Sequence, residues 1–180
     1  MTNGLVVMTP SSIAYSGTSA SINADGSVVF SACSSLSLNG VFTGDYDNYM
    51  VTVRGDSTIG TSWYFRFRDA GTDSTSGYIE QRIEANGTSV VAKRDQIGGT
   101  YGWILATYNT HESGATVYIF GPKLVQPSAY RSVSVSDYTD AFMRDYAGTH
   151  SVSNDYDGLT LIGQNSVALT GLLTVFGFNQ

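Results

Sequence analysis

The chain has 180 residues, of which 42% are hydrophobic and 12% aromatic, and its formal net charge is −6. That length supports one domain around a single core, with roughly 70% of the unfolded surface buried on folding. The acidic balance, and nine cations scattered without a cluster, argue against a nucleic-acid or anionic-membrane partner, because like charge repels phosphate. Charged residues make up only 13% of the chain, about half of the roughly 25% usual in soluble domains. Polar surface must then come from Ser, Thr, Asn and Gly. Twenty Gly and three Pro suit a protein of many tight turns, an all-β domain rather than a helical bundle.

The opening residues 1–25 are poor in large side chains and predict an extended N-terminal arm, ended by the turn signal Asp25-Gly26. Within it, Leu5, Val6, Val7 and Met8 form a short apolar patch. Such a patch in an arm predicts a strand that pairs with something, for instance a neighbouring subunit. The start lacks the basic residues and the apolar run of roughly 7–15 residues that a secretory signal needs. No stretch approaches the ~20 apolar residues of a membrane helix. A soluble chain made in the cytoplasm is the expectation, and its folded domain is expected to survive removal of the arm.

From residue 26 to 180 the apolar pattern has period two, the mark of strands buried on one side. Val28 and Phe30 share a face, as do Leu36 and Leu38, then Tyr49, Val51 and Val53. Trp63, Phe65 and Phe67 point one way and Arg66 and Arg68 the other. Further strands are predicted over residues 78–84, 89–92, 101–108, 115–120, 131–136, 159–162 and 172–178. A spacing of about ten residues between turn signals points to a sandwich or barrel. Residues 139–146 alone have helical character, and a helical turn and an extended segment are equally compatible with them. Asp45-Tyr46-Asp47 and Asp155-Tyr156-Asp157 each precede a strand, and Phe120-Gly121 and Phe176-Gly177 each close one. Asp caps turns through backbone N–H groups, and Gly supplies backbone freedom.

Candidate chemistry is sparse. Cys33 has neither a cation nor a His beside it and reads as a small buried hydrophobe. His111 and His150 stand in polar contexts without metal-ligand spacing and read as surface residues. No Gly-x-Ser-x-Gly elbow or phosphate loop occurs. Asp45, Asp47, Asp155 and Asp157 could bind Ca²⁺, or act as a glycosidase pair, if their loops met; turn capping is the simpler reading. Asn86-Gly87-Thr88 matches the glycosylation sequon. Twelve Tyr among Ser, Asn and Gly would suit a contact surface, or sit in strands with the rings buried. The residues assign no catalytic, cofactor-binding or metal role, and an enzyme is not expected.

Several motifs together carry a resemblance. They are Thr9-Pro10-Ser11-Ser12, Phe30-Ser31-Ala32-Cys33-Ser34-Ser35-Leu36-Ser37-Leu38-Asn39-Gly40-Val41-Phe42, Asp45-Tyr46-Asp47-Asn48-Tyr49, Tyr118-Ile119-Phe120-Gly121-Pro122, Tyr156-Asp157-Gly158-Leu159 and Leu173-Thr174-Val175-Phe176-Gly177. The chain resembles small virion structural proteins of tailed bacteriophages over most of its length. The resemblance implies a jelly-roll-like antiparallel β-sandwich with no catalytic residue, no cofactor and a place in the virion. It favours a capsid decoration (cement) protein that binds the major capsid protein and itself, as a homotrimer. Leu5, Val6, Val7 and Met8 are then candidate partner contacts. A tail-fibre or tail-tip protein that binds host glycans is the alternative. A polysaccharide depolymerase using Asp47 and Asp157 is a second.

Overall fold

The structure is a computed structural model and describes residues 4–107, 112–136 and 142–179. Among these residues the chain forms fourteen strands and one 3-10 turn. The strands are β1 (Val6–Val7), β2 (Ser12–Ile22), β3 (Val28–Asn39), β4 (Asn48–Ser57), β5 (Thr61–Asp69), β6 (Thr72–Asp73) and β7 (Tyr78–Asn86), then β8 (Ser89–Gly99), β9 (Gly102–Thr107), β10 (Ser113–Phe120), β11 (Gln126–Ser136), β12 (Phe142–Asn154), β13 (Gly158–Gly163) and β14 (Leu169–Phe178). The 3-10 turn is Gln164–Ser166. Every strand pairing between described residues is antiparallel.

The sheet runs β6-β5-β13-β3-β14-β4-β10-β11-β12-β7-β8, with β1 on β14, β2 on β3 and β9 on β5. It curls on itself, so that β9 packs against β10 and β11. The result is the expected all-β, jelly-roll-like antiparallel β-sandwich. The fold line lies in β3. Its residues 28–33 pair with β14 and residues 35–38 with β13. Just before the switch Ala32 takes a positive φ of 48°, and the β2 register slips between Ser16 and Gly17. The extra residue bends the strand, as bulges do, and lets one strand serve both layers.

The core is aromatic. Phe67 is fully buried, with Tyr156 at 4.9 Å, His150 at 5.2 Å, Phe65 at 5.3 Å, Tyr78 at 6.2 Å and Phe42 at 6.4 Å between ring centroids. Across the layers, Phe65 meets Tyr130 edge-on at 5.0 Å. Trp63, Phe65 and Phe67 face inward as their alternation predicts, and Cys33 is buried, its thiol facing the Ser19 carbonyl at 3.2 Å.

Two expectations change, and one left open is decided. His150 is wholly buried rather than at the surface. Its Nε2 lies 3.0 Å from the Ser74 hydroxyl and its Nδ1 3.3 Å from that of Tyr156. Residues 142–146 are strand rather than helix, since Phe142, Arg144 and Tyr146 alternate inward on β12; residues 139–141 lie outside the described residues, as do His111 and Tyr108. Finally, the two Phe-Gly pairs differ. Gly121 takes a positive φ of 65° in a turn. Gly177 lies within β14, where a Cβ would sit 2.5 Å from the Tyr46 ring. Close packing, not φ, requires that glycine.

β1 and β2 lie along the chain's own sheet. β2 pairs with β3 from Ser12↔Asn39 to Ile22↔Val28, and Met8, Ile13 and Ala20 pack against the core. Removing residues 1–24 therefore strips the edge of β3 and opens the core. A thermal melt of that truncation should show clear destabilisation, not the intact domain that the sequence suggests.

Candidate functional site

Two surfaces of the strands β10, β11, β12, β7 and β8 stand out, because the sidedness of β7, β11 and part of β12 is reversed, while β10 keeps Ala115, Val117 and Ile119 inside. In β11 the alternating sequence Ser132-Val133-Ser134-Val135-Ser136 is oriented with its serines buried, while Val133 and Val135 are exposed. Tyr130 fixes this phase: its ring is buried against Phe65, and two-residue periodicity then turns every serine inward. The Ser132 hydroxyl donates to the Ile104 carbonyl at 2.7 Å, which satisfies it inside.

The neighbouring strands follow. On β7, Tyr78, Glu80, Arg82 and Glu84 face inward and Ile79 and Ile83 outward. On β12, Arg144 is buried and Met143 is 54% exposed. The register places Gly114, Val135, Met143, Ala85 and Val90 in one row across the outer face, and Thr116, Val133, Asp145, Ile83 and Ala92 in the next. A shallow hollow of about 560 Å³ lies among Val133, Val135, Met143 and Thr116. Val133, Val135 and Met143 thus form an apolar patch on the outer face, bounded by Asp145, which pairs with Arg131.

The inner side carries ions. Arg82 bonds Asp95 at 3.0 Å and lies 3.4 Å from Glu84, which accepts from Arg144 Nε at 2.7 Å. The Arg82 guanidinium also lies 5.7 Å from the Trp103 ring centroid. Glu80 is buried beneath them; its Oε2 accepts from the Trp103 backbone N–H and the Tyr130 hydroxyl, both at 2.9 Å. Burial pushes the Glu80 carboxyl up to about 8, so at neutral pH it is mostly protonated. Burial likewise raises Tyr130, which keeps its hydroxyl the donor, and raises Asp95. Glu80 lines neither groove on this side. Its proton stays in the core and is not presented to a substrate.

Next to the ion cluster, two grooves open between the layers. One, of about 310 Å³, is bounded by Thr61, Ser62, Arg82, Trp103, Arg144 and Gln164. The other, of about 380 Å³, lies between Ser34, Tyr64, Arg66, Tyr101 and the turn at Gln164, Asn165 and Ser166. Tyr64 stacks on Tyr101 at 3.8 Å and meets Trp103 edge-on at 4.8 Å. Nothing in the sequence pairs Tyr64, Trp103 and Gln164; they meet only because β9 and the 3-10 turn flank β5.

The sequence-derived candidates are placed as follows. Val6 and Val7 pair with Gly177 and Phe176 of the same chain, and the Met8 N–H donates to the Val175 carbonyl at 2.8 Å. Leu5 and Val7 remain exposed beside this pairing. The loops of Asp47 and Asp157 both anchor main chain: the Asp47 carbonyl accepts from Gly121 N–H, and the Asp157 carbonyl from Phe42 N–H. Asp45 bonds Thr43, and Asp155 pairs with Lys123 at 3.4 Å. Among the described residues no group of three or more His, Cys, Asp or Glu could hold a metal. No helix among them is long and apolar enough to cross a membrane.

No family model matches the chain. No curated protein matches it either. Among solved structures, it is similar to a protein of unknown function from Shewanella oneidensis MR-1, with a TM-score of 0.36 and 8% identity, over 97% of this chain and 79% of that one. It is similar to domain 4 of AbnA, an extracellular arabinanase from Geobacillus stearothermophilus solved with arabinotriose, with a TM-score of 0.30 and 12% identity over 93% and 82% of the two chains. Peanut lectin, solved with a nine-residue peptide, gives a TM-score of 0.25 and 10% identity over 91% and 90%. Likeness at this level carries no argument about ligands.

Proposed function

We propose that the chain is a virion structural protein of a tailed bacteriophage, a decoration protein that binds the capsid lattice without catalysing a reaction. The observation that carries this reading is the reversed wing. A strand with serines inside and valines outside leaves apolar surface in water, and contiguous apolar patches on soluble proteins mark contact sites. Val133, Val135 and Met143 form that patch, and a protein lattice would cover it. The motif resemblance supplies the particle. The β2 edge adds a route to self-association. It is an exposed strand of eleven residues with no charge and no proline, and open edges without such guards pair with other strands.

The test replaces Val135 by Glu and Met143 by Lys together. The two positions face each other across β11 and β12, so the new charges pair and stability should change by no more than ~0.5 kcal/mol. Binding to undecorated particles should fall at least tenfold, and wild-type protein should be present in hundreds of copies per particle. Undiminished binding, or a copy number in the tens, would overturn the decoration reading. Separately, Ala14→Lys with Thr18→Lys on β2 should lower the oligomer order seen by light scattering while leaving the melting temperature in place.

A further inference from the structure

We propose that the two grooves flanking β5 and β9 form one continuous binding site for a short neutral oligosaccharide. This site lies on the opposite side of the wing from the apolar patch and stands apart from the particle-assembly reading.

The grooves share Gln164 on their common rim. Between them stand Tyr64, Tyr101 and Trp103, which contact one another as an aromatic cluster. Sugar rings present apolar C–H faces and a rim of hydroxyls. A site for them needs aromatic surface together with side chains that both donate and accept hydrogen bonds. Gln164 and Asn165 supply amides, and Thr61, Ser62 and Ser166 supply hydroxyls, all of them lining the grooves.

A further observation points to a ligand. Asn165 and Ser166 hold consecutive left-handed conformations, φ 53° and 61°. Neither is glycine, and such conformations cost on the order of 1–3 kcal/mol each and concentrate at functional sites.

The charges select a neutral ligand. Arg82 is paired with Asp95, Arg144 with Glu84, and Arg66 lies 3.9 Å from Asp73. Arg82 and Arg144 therefore each have a carboxylate of their own and Arg66 shares Asp73 with Arg68, so an anionic sugar would meet little excess positive charge. The paired guanidiniums keep N–H groups to offer to hydroxyls. The two lobes together suit a chain of two or three sugar units.

The experiment is a glycan array spanning neutral and acidic oligosaccharides of two to four units, followed by calorimetric titration of the best neutral trisaccharide. Wild-type protein should bind neutral sugars and pass over acidic ones. Gln164→Ala and Tyr101→Ala should each weaken binding about tenfold, with circular dichroism and melting temperature unchanged for Gln164→Ala, whose side chain is exposed. The Val135→Glu, Met143→Lys double variant should bind the sugar as wild type does. Binding of acidic sugars alone, no binding anywhere on the array, or full affinity in Gln164→Ala would each overturn the proposal.

Discussion

Replacing Phe67 by Ala should cost about 3–5 kcal/mol, the usual range for removing a buried phenylalanine. Phe67 has no exposure and sits among five rings contributed by β5, β7, β12, the segment before β4 and the loop before β13. A void there cannot close easily, because each neighbouring ring is itself pinned. Tyr78 accepts the Phe67 backbone N–H at 2.8 Å through its hydroxyl, and the His150 ring is held by Ser74 and Tyr156. Stabilities of about 5–15 kcal/mol are typical of folded domains, so the variant should lose a large share of its margin. For a chain this size, about 2–4 °C of melting temperature is lost per kcal/mol, and the melt should drop by about 10 °C. Val91→Ala, at a half-exposed position on β8, should change stability by less than ~0.5 kcal/mol. Equal effects of the two substitutions in a denaturant titration would show that the core is not centred on β5.

Stability should fall as pH rises from about 5 to 8, and Glu80→Gln should remove that fall. The unfolded carboxyl titrates near 4.5, whereas the folded one is pushed up to about 8. Between these values the folded state binds more protons than the unfolded state, so rising pH favours unfolding. At 1.36 kcal/mol per pKa unit, the window is worth on the order of 3–4 kcal/mol. Glutamine preserves the acceptor toward Trp103 N–H and Tyr130 and places an NH₂ where the acid carries its proton. Glu80→Gln should therefore match wild type near pH 5 and exceed it by pH 8.5. His150 acts with the opposite sign: burial lowers its folded pKa below 6.5, so its contribution is complete above pH 6.5 and is lost as pH falls further. It trims the acid side of the curve in both proteins and leaves their difference to Glu80. Parallel pH profiles for wild type and Glu80→Gln would mean that Glu80 is ionised in the fold.

The reversed wing bears on both functional readings. Burying Arg82, Glu84, Asp95 and Arg144 is expensive, and an ion cluster of this kind rarely stabilises a fold beyond what apolar packing would. With the apolar residues outside and the ions inside, the wing gives up core stability on both faces. Covering the outer face with a protein lattice, and filling the inner groove with a hydroxyl-rich ligand, would each recover part of it.

That the chain is built of strands follows from local pattern, because period-two alternation and Gly, Asn and Asp turn signals are local. The same pattern sets which way β4 and β5 face: Tyr49, Val51, Val53, Trp63, Phe65 and Phe67 are unambiguously apolar, and hydrophobic burial sets their phase. The phase of β7, β11 and β12, by contrast, is set by long-range packing. There one large ring, such as Tyr130 or Tyr78, outweighs two small valines, and a one-residue shift would invert the whole face. Tertiary structure likewise buried His150, carried β2 onto the edge of β3, and brought Tyr64, Trp103 and Gln164 to one groove. Those outcomes depend on contacts between residues far apart in the chain, and no local pattern encodes them.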